Sequence, residues 1–308
     1  MYTVDFWALG LKMIKQSAAL LQAMRPHQWV KNGLVFLPLV AAHQLTNGPL
    51  MLTVAAGAGL FSAMAAAIYL FNDYNDVEAD QAHPTKRHRP IASGRLSPKI
   101  ALSAGILLAA GALLGALGLN IQFAGLLMAY ALVSMSYTLG LKRIAVVDVF
   151  ALVSLYLLRI IAGAALAGIA ASPWLLAFSL FLFFSLGLVK RQTELQRLSQ
   201  TGGSSIPGRG WIVADTPLVR TLGVGAGLMA VLILALYIDS EQAQSLYAQP
   251  EWLWVACPLL LFWVSHVWRV TERGEMHDDP VVFALRDRVS VALGVLMLMA
   301  AYLAASGF

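Results

Sequence analysis

The chain repeatedly runs apolar for about 17 to 25 residues, the length of helix that crosses a bilayer, and one of these runs ends directly in Asn72-Asp73-Tyr74-Asn75-Asp76-Val77-Glu78-Ala79-Asp80. In lipid every backbone polar group has to find its partner inside the chain, so such runs fold as helices. Nine are expected, near 28 to 45, 50 to 72, 97 to 118, 121 to 138, 146 to 169, 173 to 190, 217 to 238, 252 to 270 and 287 to 306. The predicted fold class is all-α, a polytopic integral membrane protein. Charged residues make up 12% of 308, about half the soluble average. Residues 1 to 308 therefore read as a single transmembrane domain with no hidden soluble module.

Lys and Arg accumulate in cytoplasmic loops. All of them except Arg159 lie before the first helix or in and beside the connections between helices 2 and 3, 4 and 5, 6 and 7, and 8 and 9. The alternate connections, near 43 to 50, 118 to 122, 170 to 173 and 239 to 251, contain none. This predicts a cytoplasmic N-terminus and, after nine spans, an outside C-terminus. The net charge of +5 is this collar of membrane loops, and its division among them argues against nucleic acid as a partner. Residues 1 to 24, with Trp7, Leu11, Ile14 and Leu21 beside Lys12 and Lys15, read as an interfacial amphipathic helix, without the apolar core and cleavage site of a signal peptide. The lone Cys257 excludes disulfides and thiolate metal sites. The stretch from Thr201 to Gly210 reads as a flexible loop, since it lacks the Gly-Lys-Ser/Thr ending of a P-loop. Gly223, Gly225, Gly227, Gly111 and Gly115 read as close helix packing.

At about 100° per residue Asp73, Asp76 and Asp80 share one helix face within roughly 60°, with Asn72 beside Asp76 and Glu78 turned away. Acids gathered this way repel one another unless a cation joins them. Magnesium, a hard ion bound by a few carboxylates together with substrate phosphates, suits the set. Behind it comes His83-Pro84-Thr85-Lys86-Arg87-His88-Arg89-Pro90, completing an acidic and basic cytoplasmic loop over 73 to 97. Alone, the basic part would be a membrane anchor; beside the acids, Lys86, Arg87 and Arg89 suit a polyphosphate. Asp148 begins helix 5 shortly after Tyr137, Lys142 and Arg143, and Arg159 shares its face about 16 Å along the axis. An arginine at membrane depth costs about 2.5 to 3.5 kcal/mol on insertion scales. It should face a polar cavity, or else a buried ion pair or carbonyl that ties helices together. Lys190 and Arg191 end helix 6, where they either snorkel or meet phosphate.

Asn72-Asp73-x2-Asp76-x3-Asp80 at the end of the second helix resembles the first aspartate-rich motif of the UbiA superfamily of intramembrane prenyltransferases. The resemblance implies nine helices around a central cavity that opens to lipid and is capped on the cytoplasmic side. The usual second motif of that superfamily is an acid pair, Asp-x3-Asp, whereas here Asp148 is followed at that spacing by Leu152. Arg25-Pro26-His27-Gln28-Trp29-Val30-Lys31-Asn32, His83 to Arg87, Leu158-Arg159 with Gly163, Lys190-Arg191 with Glu194-Leu195, and Ala284-Leu285-Arg286-Asp287-Arg288-Val289 are similar to the branch that acts on decaprenyl phosphate. That likeness implies a bacterial plasma-membrane phosphoribosyltransferase of cell-envelope synthesis. Its substrates would be 5-phosphoribosyl 1-diphosphate and a polyprenyl phosphate, and its cofactor Mg2+ on Asn72, Asp73, Asp76 and Asp80, assisted by Asp148. Lys86, Arg87, Lys142 and Lys190 are then candidates for the diphosphate or 5-phosphate, and Lys31 and Arg159 for the lipid phosphate, with Arg89, Tyr137 and Arg191 nearby. Ordinary prenyl transfer to an aromatic or other acceptor is the second reading, and a transporter with a cation site the third.

Overall fold

The computed structural model describes residues 6–82, 85–276 and 279–306, with side chains from residue 15 onward. His83 and Pro84 of the basic loop, and the side chains of Trp7, Leu11, Lys12 and Ile14, lie outside the described residues. Helix α1 (Phe6–Ala23) is followed by a 3-10 stretch (Pro26–Phe36), then α2 (Leu37–Ala41), α3 (Gly48–Asn75), α4 (Val77–Ala82), α5 (Pro98–Leu119), α6 (Ile121–Leu139) and α7 (Val147–Ala167). After these come α8 (Pro173–Gln200), α9 (Thr216–Ile238), α10 (Glu241–Leu246), α11 (Ala256–Glu272), α12 (Pro280–Arg286) and α13 (Arg288–Ser306). Among the described residues the one extended pairing is a bridge between Ser205 and Ile212. The chain is thus all-α, as its apolar runs require.

Among the described residues eight helices are long and apolar enough to cross a bilayer, one fewer than the nine expected. They are α3, α5, α6, α7, α8, α9, α11 and α13. The run expected over 28 to 45 folds instead as the 3-10 stretch and the short α2. Pro38 lacks an N–H and would clash with the carbonyl four residues earlier in a continuous α-helix, so the α-helical part begins at Leu37 rather than at 28. The segment still runs antiparallel to α3. Arg25, just before it, reaches Asp73 at the C-terminal end of α3 at 2.6 Å. In its middle Asn32 donates to Ser62 at 2.9 Å, and beyond it Asn47 caps the N-terminus of α3 by accepting from the Leu50 amide at 3.3 Å.

The chain forms two compact units. One comprises the chain up to Thr138 together with Leu158–Ala170; the other comprises Leu139–Leu157 and everything from Ala171 on. In the first unit Phe61 of α3 stands edge-on to Phe123 and Tyr130 of α6, with ring centroids 5.8 and 5.2 Å away. Helix α1 buries Ala19 and Ala23 in a cluster with Leu70, Ile91, Leu96 and Ala101, so its last turns are docked on protein. The 3-10 stretch meets α7 at Gly163, where a methyl group would overlap the Val35 carbonyl. Gly163→Ala is therefore expected to cost about 1 to 3 kcal/mol, the range for overpacking, because the obstacle is backbone and cannot rotate away. A melting temperature equal to that of the unaltered protein would contradict this contact. In the second unit α9 packs on α8 and α11 where Gly223 meets Leu188 and the Trp268 ring and Gly227 meets Ser185 and Val264. Gly225 has open space, so two of the three glycines serve close approach.

Candidate active site

The acidic motif straddles a helix junction. Asp76 ends α3 at φ −93, ψ 9, and its amide bonds to the Asn72 carbonyl, while the Asp80 amide bonds back to the Asp76 carbonyl. The helical register is nearly kept, so Asp73 and Asp80, seven residues apart, point to one side. Both are buried. Arg89 donates through a single Nη1 to Asp73 at 3.1 Å and to Asp80 at 2.7 Å, and Arg25 adds its Nη2 to Asp73 at 2.6 Å. Arg25 also lies over the Tyr69 ring at 4.8 Å. Asp76 is half-buried and has no ion-pair partner among the described residues. The Asn72 Oδ1 is buried with no hydrogen-bond donor among the described residues.

Among the described residues no three acids or histidines converge to form a ready metal cage. Even so, the donor set fits a hard divalent cation. Oxygens of Asp73 and Asp80 meet at one nitrogen position, and Asn72, next in sequence to Asp73, has a buried Oδ1 without a donor among the described residues, an oxygen of the kind such an ion takes. Positive charge is already drawn to that point by Arg89.

Arg159 is buried in the first unit. Its Nε donates to Asn32 Oδ1 at 2.8 Å, its Nη2 to the Tyr130 hydroxyl at 3.0 Å, and its guanidinium stacks on the Tyr130 ring at 4.6 Å. The cation is thus desolvated onto a neutral amide and an aromatic face, each worth about 1 kcal/mol or somewhat more.

In the second unit Asp148 has no solvent exposure. Trp211 Nε1 donates to its Oδ1 at 2.9 Å. Arg191 Nε lies 3.1 Å from its Oδ2, at ion-pair distance but out of line for a hydrogen bond. Arg191 also pairs with Glu194, which in turn holds Arg209 Nε at 3.2 Å, and Arg209 Nη1 is 3.9 Å from Asp148. Two acids and two arginines balance in charge. Arg209 comes from the stretch expected to be a flexible loop, and Trp211 follows directly on its end. That stretch closes instead as a tight hairpin, with Ile206 N on Trp211 O at 3.0 Å and Val213 N on Ser204 O at 2.9 Å. Gly210 packs so closely on the Arg143 carbonyl and Ala145 amide that a methyl group would come within 2.6 and 2.5 Å of them.

A further polar chain joins α11 to the α12–α13 junction. His266 Nε2 is 3.0 Å from Asp287 Oδ2, Arg269 Nη2 is 3.1 Å from His266 Nδ1, and the Ser290 amide and hydroxyl both donate to Asp287 at 2.8 Å. Burial alone would raise the Asp287 carboxyl, but the Ser290 bonds and His266 outweigh it and hold it below the ordinary value. A depressed carboxyl contributes stability that is present above its unfolded value of about 3.9 and is lost as pH falls through the folded one. The unaltered protein should therefore lose stability more steeply than Asp287→Asn below about pH 4. Parallel acid melting profiles would refute the linkage.

The remaining expected residues divide between the two units, Lys31, Lys86, Arg87 and Tyr137 in the first and Lys142 and Lys190 in the second. Lys86 and Arg87 are exposed on a short 3-10 turn, Arg87 Nε reaching His88 Nε2 at 3.4 Å. Lys31, Tyr137, Lys142 and Lys190 are half-buried. Four functional candidates were not assigned a role from sequence: Arg25, Asn32, Arg209 and Trp211. A tryptophan at the edge of a Gly/Ser-rich stretch was the one available signal for the last, since a loop that merely floats has no use for an indole.

The model of the UbiA prenyltransferase family matches residues 33–286. The chain is 38% identical over 278 residues to the uncharacterised protein y4nM of Sinorhizobium fredii, covering 90% of this chain and 54% of that protein; it spans about half of that relative's length. It is 34% identical over 290 residues to the nodulation protein NoeC of Azorhizobium caulinodans, covering 90% of this chain and 92% of the relative. It is 33% identical over 289 residues to the decaprenyl-phosphate phosphoribosyltransferase of Mycolicibacterium smegmatis, covering 88% and 87%. Among solved structures, a UbiA homolog from Archaeoglobus fulgidus bound to DMAPP and Mg2+ superposes with a TM-score of 0.67 over 92% of this chain and 99% of that one, at 15% identity.

Proposed function

The chain belongs to the UbiA prenyltransferase family, and on that premise we propose that it is a Mg-dependent polyprenyl-phosphate phosphoribosyltransferase of the bacterial plasma membrane. It moves 5-phosphoribose from 5-phosphoribosyl 1-diphosphate to a polyprenyl phosphate. The new bond joins a lipid phosphate oxygen to C1 of the ribose, the C1–O bond to diphosphate breaks, and its electron pair leaves with diphosphate. The observation that carries the reading is at Asp148: Leu152 stands where the second acid of the pair expected in prenyl-diphosphate enzymes would be, and Asp148 itself is engaged by Arg191, Arg209 and Trp211. Likeness to the Mycolicibacterium enzyme over most of both chains supports the same choice.

A polyprenyl phosphate is already an anion, so its attacking oxygen needs no general base. The work left to the protein is to hold the leaving diphosphate and place the two substrates in reach. Asp73, Asp76, Asp80 and Asn72 would hold Mg2+, as the bound ion in the Archaeoglobus homolog supports; the ion supplies charge stabilisation for the departing diphosphate. Lys86 and Arg87 are exposed on their turn, where a phosphate arriving from water would meet them. Arg159, held by Asn32 and Tyr130, is the cation for a phosphate carried on lipid. The polar end of α3, with its Lys- and Arg-rich connections, faces the cytoplasm in this reading.

The test offers labelled 5-phosphoribosyl 1-diphosphate and labelled geranylgeranyl diphosphate separately to the purified protein with lipid extract. Label from the phosphoribosyl donor should enter lipid. Incorporation of geranylgeranyl into an acceptor, with none from the sugar donor, would establish ordinary prenyl transfer. Lys86→Ala and Arg87→Ala should each weaken donor binding by about 1.5 to 3 kcal/mol, the worth of a charged hydrogen bond. Unaltered donor affinity in both, measured by calorimetry, would remove them from the site.

A further inference from the structure

Asp73 and Asp80 are 2% and 3% exposed at their side chains, while the arginines lying on them are 25% and 28% exposed. Arg25 and Arg89 are thus the solvent-open members of these pairs. Arg89 presents one nitrogen to both acids, at the point where their oxygens converge and where a metal ion would have to sit. Arg25 is held there at a conformational cost. Its backbone is left-handed, φ 54 and ψ 61, a region that costs a non-glycine residue about 1 to 2 kcal/mol. Such strain persists where surrounding contacts over-determine it. Those contacts are the 2.6 Å pair with Asp73 and the Tyr69 ring.

We infer that Arg25 and Arg89 are exchangeable counter-ions of the acidic motif: they neutralise Asp73 and Asp80 when no metal is bound, give way to the divalent cation, and then turn to the diphosphate that accompanies it. The inference rests on the metal reading of the acids given above. Two positive charges cannot share one carboxylate pair cheaply, so metal alone competes with the arginines and binds weakly. A diphosphate changes the balance, because it offers the displaced guanidiniums planar, bidentate anionic partners of the kind they prefer. Metal and diphosphate therefore promote each other's binding, and by linkage the factor is the same in both directions. Asn72 Oδ1, buried and without a donor, takes part in the exchange only on the metal side, since no arginine bond reaches it.

The experiment uses the full chain in detergent or nanodiscs, with Mn2+ followed by electron paramagnetic resonance and inorganic diphosphate as the anion. Arg89→Gln should bind Mn2+ about tenfold tighter than the unaltered chain when diphosphate is absent, within the usual span of coupling between sites. Diphosphate should tighten Mn2+ binding to the unaltered chain by a comparable factor and to the variant by much less. Without metal the variant should melt lower than the unaltered chain, and Mg2+ should restore it more than it raises the unaltered chain. Mn2+ affinity in Arg89→Gln equal to or below that of the unaltered chain would overturn the exchange. Mn2+ binding that is indifferent to Asp73→Asn would instead overturn the metal reading itself, and the exchange with it.

Discussion

Replacing Asp73 by Asn is expected to lower turnover by about two to three orders of magnitude, the loss seen when one preorganised electrostatic group at a developing charge is removed, while leaving the fold in place. The asparagine keeps the shape and can still accept from Arg25, and the ion pairs it replaces are reached by arginines a quarter exposed. The carboxylate that is lost is the buried partner, and the arginines left behind are open enough to be solvated, so no uncompensated charge stays buried. A melting temperature within a few degrees of the unaltered protein, with activity near background, is the expected pair of readings. Asp76→Asn should behave alike in turnover and more mildly in stability, since no ion pair is tied to that carboxylate among the described residues. Full turnover in EDTA, or by either variant, would remove the metal from the reaction.

Arg191→Ala should do the opposite. Asp148 has no exposure and Arg191 has none, so truncation leaves a buried carboxylate with Trp211 and a distant Arg209 as its remaining partners. Breaking a buried pair from one side costs about 3 to 5 kcal/mol. The double change Asp148→Asn with Arg191→Met removes both charges and should recover most of that loss. Sequence alone suggested a phosphate contact for Arg191; if that is its main task, the single variant will instead melt normally and fail to bind the sugar donor. Differential scanning of the three proteins without ligand separates the two.

The acid cluster was legible because helical spacing needs nothing but the local sequence: Asp73 and Asp80 do lie on one side, two turns apart. What closes over them was not. Arg25 is 48 residues from Asp73, and no periodicity connects a residue before the first apolar run to the end of the second. The count of spanning helices missed by one for a local reason, because hydropathy registers apolar length but not the 3-10 winding around Pro38. The ionic cluster around Asp148 was half legible. Asp148 and Arg191 stood out as charges at helix ends, but Glu194 had no role of its own and Arg209 lay in a stretch read as a flexible loop, and the glycine content of residues 201 to 210 disguised a hairpin that seats Trp211 among the fully buried side chains.

The 3-10 segment along α3 carries a consequence for biogenesis. Taken alone, residues 26 to 41 make a poor passenger for bilayer insertion: Lys31 and Asn32 are polar, and Pro26 and Pro38 leave gaps in the helical bonding that lipid cannot fill. Their partners are made later. Ser62 and Asp73 emerge with α3, and Arg159 and Gly163 follow more than a hundred residues after Asn32. This stretch is therefore expected to reach its final place only after α7 has been threaded. Defects at Asn32 or Gly163 should accordingly be read first in the yield of inserted protein, ahead of any change in the chemistry.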